Sequence, residues 1–413
     1  MSNKKEDLQN ILNLVEDYID NYTEEEWSPG KWIKYAGPYF DASEYTNAIK
    51  SLLSGWLVLG AEATKFENVF PKKLGKNFGL LTNSGSSANL LMMSALKSKN
   101  LYNLPPGTKV LTPIAGFPTT INPIFQVGFE PVFVDIELDT MNIDLELAEE
   151  ALQNHDIKVI TFAHVLGNPP NMDKLMKLVR KYDLILLEDC CDALGSFVAT
   201  NTPEQERVVR SFREWGRACY CVGKANLGAK GSCGKRFSAW LPSLPDHIFD
   251  HKYVYSEMGY NMKPIELQAA IGLAQMKKLK EIGSLRRRNH AALNKIFEKY
   301  EQFFHLPKAT LNSDPDWFAY ALTIRDNSIF SRSEFCTFLE SRKIQTRPYF
   351  AGNVMLQPAY SEYASVADVI SKYPVARKVT TDTFFLGCSP VITMEKIAYI
   401  ETVVEEFMEK NTL

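Results

Sequence analysis

The feature that most constrains the fold is an alternation of short apolar runs with helical segments between residues 109 and 190. The apolar runs predict four strands, at 109–113, 131–136, 158–166 and 184–190. Helical spacing separates the last three, over 145–153 and 173–182. Strand–helix–strand repeats use crossover connections, which make neighbouring strands parallel. We therefore predict an α/β fold, in which helices cover both faces of a mostly parallel sheet.

The rest of the chain predicts further segments around this sheet. Residues 8–19 have the apolar spacing of an amphipathic helix, and residues 265–300 have the composition of a long helix or helix pair. After about residue 305 the pattern mixes strands and helices. We predict three segments: an N-terminal helical segment that packs on the small domain (1–40), a large α/β domain (41–285) and a small C-terminal α+β domain (286–413).

The charge balance excludes several classes of partner. The chain has 46 Lys plus Arg against 49 Asp plus Glu, a formal net charge of -3, so it has no basic field to hold nucleic acid or an anionic membrane. It has no run of eighteen apolar residues, and its charged start has no apolar signal core after it. We expect a cytoplasmic protein that acts on a small molecule.

Residues 82–89 are a first candidate site. They place Gly85 and several hydroxyl side chains between a predicted strand, 78–81, and a predicted helix, 90–97. Glycine and the free amides of a helix N-terminus form a phosphate cradle. An ordinary serine N-cap has the same pattern, so this segment alone leaves both interpretations open.

The end of the strand 184–190 is a second candidate site. Glu188 and Asp189 lie where the strand ends, at the sheet edge where α/β proteins bind ligands. A carboxylate there can pair with a cationic ring nitrogen of a cofactor. It can equally cap the helix that follows.

The cysteines form a third candidate site. Five of the seven lie within 44 residues: Cys190, Cys191, Cys219, Cys221 and Cys233. In a chain without a secretion signal, this clustering indicates metal binding or redox chemistry rather than disulfides. Four thiolates can ligate a zinc ion or an iron–sulfur cluster. Packing in a core explains Cys336 and Cys388 better than it explains cysteines in a Gly- and Lys-rich loop.

Taken in order, these and other segments resemble one known family. The segments are Gly55-Trp56-Leu57, Phe66-Glu67, Ser84-Gly85-Ser86-Ser87-Ala88-Asn89, Ala115-Gly116-Phe117-Pro118-Thr119-Thr120, Glu188-Asp189-Cys190-Cys191-Asp192-Ala193-Leu194-Gly195, Trp215-Gly216-Arg217 and Gly259-Tyr260-Asn261. They resemble the DegT/DnrJ/EryC1/StrS family of vitamin B6-dependent sugar aminotransferases and dehydratases, over about residues 40–408. The resemblance implies an aspartate-aminotransferase-like fold (type I PLP-dependent transferase), with 41–285 as the cofactor-binding domain.

The resemblance also implies a cofactor site. Three residues would bind the phosphate of pyridoxamine 5'-phosphate (PMP) or pyridoxal 5'-phosphate (PLP): Gly85, Ser86 and Ser87. Phe117 would stack on the pyridine ring, and Asp189 would keep the ring nitrogen protonated. Asn261 would reach the cofactor phosphate of the neighbouring subunit, which implies a homodimer.

The cysteines and Phe350-Ala351-Gly352-Asn353 resemble one branch of the family, the iron–sulfur CDP-4-keto-6-deoxyglucose 3-dehydratases. The resemblance implies a 2Fe-2S cluster on four ligands, Cys191, Cys219, Cys221 and Cys233. The implied reaction is the C3 dehydration of a nucleotide-linked 4-keto-6-deoxyhexose in 3,6-dideoxysugar and O-antigen lipopolysaccharide biosynthesis. A separate flavin iron–sulfur reductase would supply the electrons.

One part of the family pattern is absent. After Phe197 the chain continues directly to Val198, where the family has roughly thirty residues, the length of two strand units, including the catalytic histidine or lysine. No lysine lies between Lys181 and Lys224, and no histidine lies between His164 and His247. The catalytic residue is therefore unknown. The loss of two strands should also open the sheet and expose its edges.

Three explanations of this gap are open: a native deletion in an inactive homologue, a sequence that lacks part of an active enzyme, and a base recruited from elsewhere, such as His164 or Lys224. The last ranks lowest because a base must lie within about 3 Å of its proton. Two other functions also stay open. One is a PLP-dependent sugar-nucleotide aminotransferase, and the other is a non-catalytic partner subunit or zinc-stapled scaffold.

Overall fold

The computed structural model describes residues 3–21, 26–192, 197–219 and 237–412. These divide into two units. The first unit comprises Met1–Glu24, Phe40–Pro106 and Gly195–Lys278, and the second comprises Glu25–Tyr39, Gly107–Leu194 and Leu279–Leu413. The division predicted from the sequence, at residues 40 and 285, stays a prediction.

The described residues form the following helices and strands. The helices are α1 (Lys4–Asn21), α2 (Ala42–Leu53), α3 (Ala61–Lys73), α4 (Gly85–Ala95), α5 (Pro118–Gln126), α6 (Leu145–Asn154), α7 (Met172–Lys181), α8 (Pro203–Arg213), α9 (Glu266–Glu298), α10 (Arg332–Ser341), α11 (Val366–Lys372), α12 (Pro374–Asp382) and α13 (Met394–Thr412). The strands are β1 (Phe78–Leu81), β2 (Lys109–Pro113), β3 (Glu130–Val134), β4 (Ile157–Ala163), β5 (Ile185–Asp189), β6 (Phe197–Thr200), β7 (Phe237–Ser238), β8 (Phe249–Asp250), β9 (Phe304–His305), β10 (Ala319–Ile324), β11 (Arg347–Pro348) and β12 (Thr383–Gly387).

The four predicted strands form one parallel sheet in the second unit. Its order is β3-β2-β4-β5, and all three pairings are parallel. The apolar side chains of β4 are buried along nearly its whole length, as expected for a strand with a neighbour on each side and helices above and below. Leucines of α6 and α7 pack in the same core as residues of β4. The predicted α/β sheet is confirmed.

The C-terminal part of the second unit mixes strands and helices, as predicted. A four-stranded antiparallel sheet has the order β11-β12-β10-β9. Its core is rich in phenylalanine, including Phe297, Phe335, Phe384 and Phe407. Residues 266–298 form a single helix of 33 residues, α9, which settles the choice between one helix and a pair.

The first unit is built around a two-stranded antiparallel sheet, β1-β6. Leu80 and Val198 of this sheet pack against Leu91 of α4 and Phe212 of α8. The predicted N-terminal helix is present as α1, which contacts α2. In the described part of the chain, no helix combines the length and the apolar character that a membrane crossing requires.

The strands on either side of residues 193–196, β5 and β6, each lie at a sheet edge in the described part of the chain. β5 has β4 on one side, and β6 has β1 on one side. The aliphatic side chains Ile185, Leu186 and Leu187 of β5 are only half-buried, whereas those of β4 are buried. Partly exposed apolar side chains on an edge strand are what the loss of adjacent strands predicts.

A buried histidine in the second unit gives the folded protein an acid-sensitive core. His290 stacks face to face on Trp317, with ring centroids 4.0 Å apart. Burial lowers the pKa of His290 to about 3 from an ordinary value of 6.5. Between these values the unfolded chain binds a proton that the folded chain does not, so stability is lost as the pH falls through this window.

We expect the replacement of His290 by phenylalanine to flatten the acid limb of the stability profile. The parent should lose about 1.4 kcal/mol for each pH unit below 6.5 through this one residue, and His290→Phe should not, because a benzyl ring keeps the stack but does not titrate. Urea unfolding at pH 7, 6, 5 and 4 measures the difference. The same replacement at exposed His155 should leave the slope of the parent unchanged.

Candidate functional site

Three strands of the parallel sheet bring candidate side chains to one edge. β2 leads into Phe117, β4 into His164, and β5 ends at Asp189. Because β2, β4 and β5 run parallel and lie side by side in this order, their carboxyl ends meet at the same edge of the sheet. This is the edge at which open α/β sheets bind ligands.

Hydrogen bonds hold the carboxylate of Asp189 in a fixed orientation. Asp189 is only 5% exposed. Its Oδ2 accepts a hydrogen bond of 2.7 Å from the hydroxyl of Thr120, and its Oδ1 accepts one of 3.0 Å from the backbone N–H of Cys191. The backbone N–H of His164 donates to the carbonyl of Asp189 at 3.0 Å. The sequence predicted Asp189 but not Thr120, which lies three residues after Phe117.

Phe117 lies at the same edge of the parallel sheet as Asp189. The residue is 46% exposed and lies at the N-cap of α5, and its ring meets Phe350 edge to face at a centroid distance of 5.9 Å. The preceding Gly116 donates its N–H to the carbonyl of Gly352 at 3.1 Å. Gly352 has φ +62°, and a Cβ there would lie 2.5 Å from the hydroxyl of Thr380. A glycine is therefore required where the 350–353 motif passes the Phe117 loop.

His164 is paired with a carboxylate rather than free to accept a proton. Its Nε2 lies 3.1 Å from Oε1 of Glu188. Burial favours the neutral imidazole, but the hydrogen bonds to Cys190 and Glu188 outweigh it and raise the pKa of His164 to about 9. An imidazole that is already protonated at neutral pH is a poor general base. This argues against His164 as the recruited base, and Lys224 lies outside the described residues.

In the first unit, the serine-rich turn leads into α4, which begins at Gly85, five residues before the predicted start of the helix at residue 90. Ser84 is the N-cap, and its hydroxyl accepts the N–H of Ser87 at 3.1 Å. Ser86 is exposed at the first turn. A Cβ built on Gly85 would meet no atom of the described residues within 4 Å, so this part of the chain leaves space beside Gly85. Such a terminus suits a phosphate group.

A buried ionic network fixes the strand that leads into this turn. Arg213 is 0% exposed. Its Nη1 donates to Oε1 of Glu67 at 2.6 Å and to the carbonyl of Leu81 at 2.7 Å, and its Nη2 donates to Glu214 at 3.1 Å. Glu67 in turn accepts the N–H of Leu81 at 3.0 Å. Both polar groups of the last β1 residue are thereby held in place, immediately before the turn.

The segment that follows α8 pairs with the Asn261 loop. Gly216 has φ +86°, and a Cβ there would lie 1.7 Å from the carbonyl oxygen of Glu257, so the close approach excludes every other residue. The backbone N–H of Asn83 donates to the carbonyl of Met262 at 3.1 Å. The structure therefore places Asn261 and the serine-rich turn in one unit. The role of Asn261 toward a neighbouring subunit stays a prediction.

Two basic side chains gather on Trp215 beside this loop. The ammonium of Lys263 lies 3.7 Å from the centre of the indole ring, and the guanidinium of Arg217 lies 4.7 Å from it. Burial and the charges of Arg217 and Arg213 lower the pKa of Lys263, although Glu214 opposes the shift. Among the described residues, no carboxylate forms an ion pair with Arg217 or Lys263. An anion is the group that would offset two adjacent cations.

The structure describes two of the four proposed cluster ligands. Cys191 follows β5 in the second unit, and Cys219 follows the Arg217 segment in the first. Cys221 and Cys233 lie outside the described residues. Cys191 is exposed, but partial desolvation of its thiol and the nearby carboxylates of Asp189 and Asp192 raise the pKa of that thiol. A search of the described ranges finds no group of three or more His, Cys, Asp or Glu side chains placed to hold a metal ion, so the cluster stays a prediction.

Taken separately, each unit has residues that suit one part of a vitamin B6 cofactor. In the first unit, the N-terminus of α4 at Gly85 suits a phosphate group. In the second unit, the exposed ring of Phe117 is available for stacking. The buried, oriented carboxylate of Asp189 suits a protonated ring nitrogen. The sequence predicted each of these residues. It did not predict Thr120, Arg213 or Glu67, which hold them.

Comparison with known proteins supports the family that the sequence resembles. The model of the DegT/DnrJ/EryC1/StrS aminotransferase family matches residues 38–217 and 243–405. The lipopolysaccharide biosynthesis protein RfbH of Salmonella typhimurium is 37% identical and aligns with 97% of this chain and 99% of its own length. The dTDP-4-dehydro-2,6-dideoxy-D-glucose 3-dehydratase of Saccharopolyspora spinosa is 36% identical over 97% of this chain and 92% of its own length.

Among solved structures, an Escherichia coli GDP-4-keto-6-deoxy-D-mannose-3-dehydratase with bound hydrated PLP is similar, with a TM-score of 0.74 and 25% identity over 89% of this chain and 98% of that one. The predicted fold is therefore confirmed, and a vitamin B6 cofactor is supported. The alignment with RfbH extends over 446 positions, 33 more than the 413 residues of this chain. That relative thus carries residues that this chain lacks.

Proposed function

The chain belongs to the DegT/DnrJ/EryC1/StrS aminotransferase family, and from that premise we propose that it is a PMP- and 2Fe-2S-dependent 3-dehydratase. Its substrate is a nucleotide-linked 4-keto-6-deoxyhexose of the CDP-4-keto-6-deoxy-D-glucose type, in 3,6-dideoxysugar and O-antigen lipopolysaccharide biosynthesis. The observation that carries the proposal is the buried Asp189 carboxylate, held by Thr120 and the Cys191 backbone at the sheet edge.

Different residues of the proposed site bind different parts of the cofactor. Three bind the phosphate at the start of α4: Gly85, Ser86 and Ser87. Phe117 stacks on the pyridine ring, and Asp189 keeps the ring nitrogen protonated. When bound, the cofactor supplies an amine that condenses with a keto sugar and a ring that accepts electrons. Asn261 completes the phosphate site of the neighbouring subunit in a homodimer.

The missing lysine counts against an aminotransferase, and the same gap also lacks the histidine that the family resemblance implies for a dehydratase. No lysine lies between Lys181 and Lys224, so the chain has no amine at the usual distance after Asp189 to hold PLP covalently. Two relatives that align with nearly the whole chain are a 3-dehydratase and a lipopolysaccharide biosynthesis protein. A cofactor that arrives as PMP carries its own amine, so it needs no such lysine.

Four cysteines carry the cluster in this proposal: Cys191, Cys219, Cys221 and Cys233. Thiolate ligation of this kind suits one-electron transfer, and the electrons come from a flavin iron–sulfur reductase. Arg217 and Lys263 supply positive charge for the diphosphate of the nucleotide sugar, since no carboxylate of the described residues pairs with either.

The test is anaerobic reconstitution of the whole chain with iron, sulfide and PMP, followed by removal of the excess. We expect visible charge-transfer bands, about two irons per chain and a retained near-ultraviolet PMP band. Cys219→Ser should lose the iron and the visible bands. Cys336→Ser, a matched change on α10, should keep both.

Other outcomes would contradict the proposal in different ways. Iron retained by Cys219→Ser would show that this cysteine is no ligand. A colourless protein that binds zinc would favour a scaffold. PLP bound covalently, with full transamination in Cys219→Ser, would favour the aminotransferase.

A further inference from the structure

The first turn of α5 connects Phe117, which stacks on the ring in the proposed cofactor site, with Thr120, which contacts Asp189. Phe117 is the N-cap of this helix, and Thr120 is its third residue. The backbone N–H of Thr120 donates to the carbonyl of Phe117 at 3.2 Å, which closes the turn. This hydrogen bond fixes the backbone of Thr120 relative to the backbone of Phe117.

Thr120 reaches across the sheet edge to Asp189. Thr120 is buried, and its hydroxyl donates a hydrogen bond of 2.7 Å to Oδ2 of Asp189. Thr120 follows β2 and Asp189 ends β5, and β4 lies between these two strands. The hydrogen bond therefore ties the carboxylate to an element two strands away, whereas the bond from the Cys191 N–H to Oδ1 is local.

We propose that Thr120 is a positioning residue for the cofactor ring. Its hydroxyl fixes the rotation of the Asp189 carboxylate and ties it to the turn that carries Phe117. The carboxylate that pairs with the ring nitrogen and the phenyl ring that stacks on the cofactor therefore keep a fixed position relative to each other. This inference rests on the proposed function, because it needs PMP to bind at Asp189. A hydrogen bond to a charged group in a buried site is worth enough to change ligand affinity about tenfold.

The test compares Thr120→Val with Thr120→Ser in the full chain. Valine keeps the shape of threonine and removes the hydroxyl, whereas serine keeps the hydroxyl. PMP is titrated into each variant, and the dissociation constant and the circular dichroism of the bound near-ultraviolet band are recorded. We expect about tenfold weaker binding and an altered band in Thr120→Val, and rescue of both by Thr120→Ser.

Thr140→Val is the matched control. The hydroxyl of Thr140 also donates to a carboxylate at 2.7 Å, that of Glu137, outside the proposed site. This variant should bind PMP like the parent. Thermal unfolding of every variant separates a folding defect from a binding defect.

Each remaining outcome decides against the inference. Parent-like affinity and an unchanged band in Thr120→Val would overturn the role of Thr120 and leave the proposed function standing. If the parent chain binds no PMP, the proposed function and this inference both fail.

Discussion

Replacement of Arg213 by methionine is expected to lower the free energy of unfolding by about 3–5 kcal/mol, the cost of breaking a buried ion pair by removing one partner. Arg213 is 0% exposed and bonds two carboxylates and one carbonyl. Methionine fills part of the same volume but cannot offset the charges of Glu67 and Glu214, which would remain mostly buried. Urea unfolding followed by circular dichroism measures the loss.

The matched control is Arg180→Met. Arg180, like Arg213, lies in the last turn of a helix, but it is exposed. Its replacement should change the free energy of unfolding by no more than about 0.5 kcal/mol. Equal effects of the two substitutions would show that the Arg213 network contributes nothing specific. Because Arg213 holds the carbonyl of Leu81, three residues before Ser84, we also expect weaker PMP binding in Arg213→Met.

The sequence was sufficient to predict elements whose signal is local. The strand predicted at 109–113 matches β2, and the strand predicted at 78–81 matches β1. The apolar run 158–166 was predicted too long, since the strand ends at Ala163 and a 3-10 turn, Val165–Gly167, follows. Leu166 in that turn has φ +56°, a conformation that the apolar character of the residue does not indicate.

The residues that hold the site could not be predicted, because their role depends on distant parts of the chain. Thr120 and Asp189 are 69 residues apart, and their contact requires β2, β4 and β5 to lie in that order. Arg213 meets Glu67 across 146 residues. Each of these side chains is ordinary in its own segment, and no periodicity of the sequence connects the two members of a pair.

The cysteines illustrate the opposite case. Their number and spacing are unusual in themselves, so the residues alone predict a metal site, and the family resemblance implies a 2Fe-2S cluster. A metal site also requires all four sulfur atoms to lie close together in the fold. The structure does not test this, because Cys221 and Cys233 lie outside the described residues. The iron content of the reconstituted protein therefore distinguishes a 2Fe-2S cluster from a zinc site.

The family resemblance implies that a stretch is missing after Phe197, and this leads to the second large prediction. We expect insertion of the corresponding RfbH residues between Phe197 and Val198 to stabilise the chain by about 3 kcal/mol. The half-buried side chains Ile185, Leu186 and Leu187 of β5 would gain a covering strand, and burying the remaining half of each contributes about 1 kcal/mol. Urea unfolding of the parent and of the chimera measures the gain.

The same insertion should raise dehydration of the nucleotide sugar by at least about 100-fold, the effect of a positioned general base. A second chimera, whose inserted base is replaced by asparagine, separates the two effects: it should keep the gain in stability and lose the gain in rate. A parent chain that already turns over as fast as the first chimera would mean that a base is recruited from elsewhere. His164 is a poor candidate for that role, because its pKa of about 9 leaves it protonated at neutral pH. Lys224, which is not among the described residues, would then be the next residue to substitute.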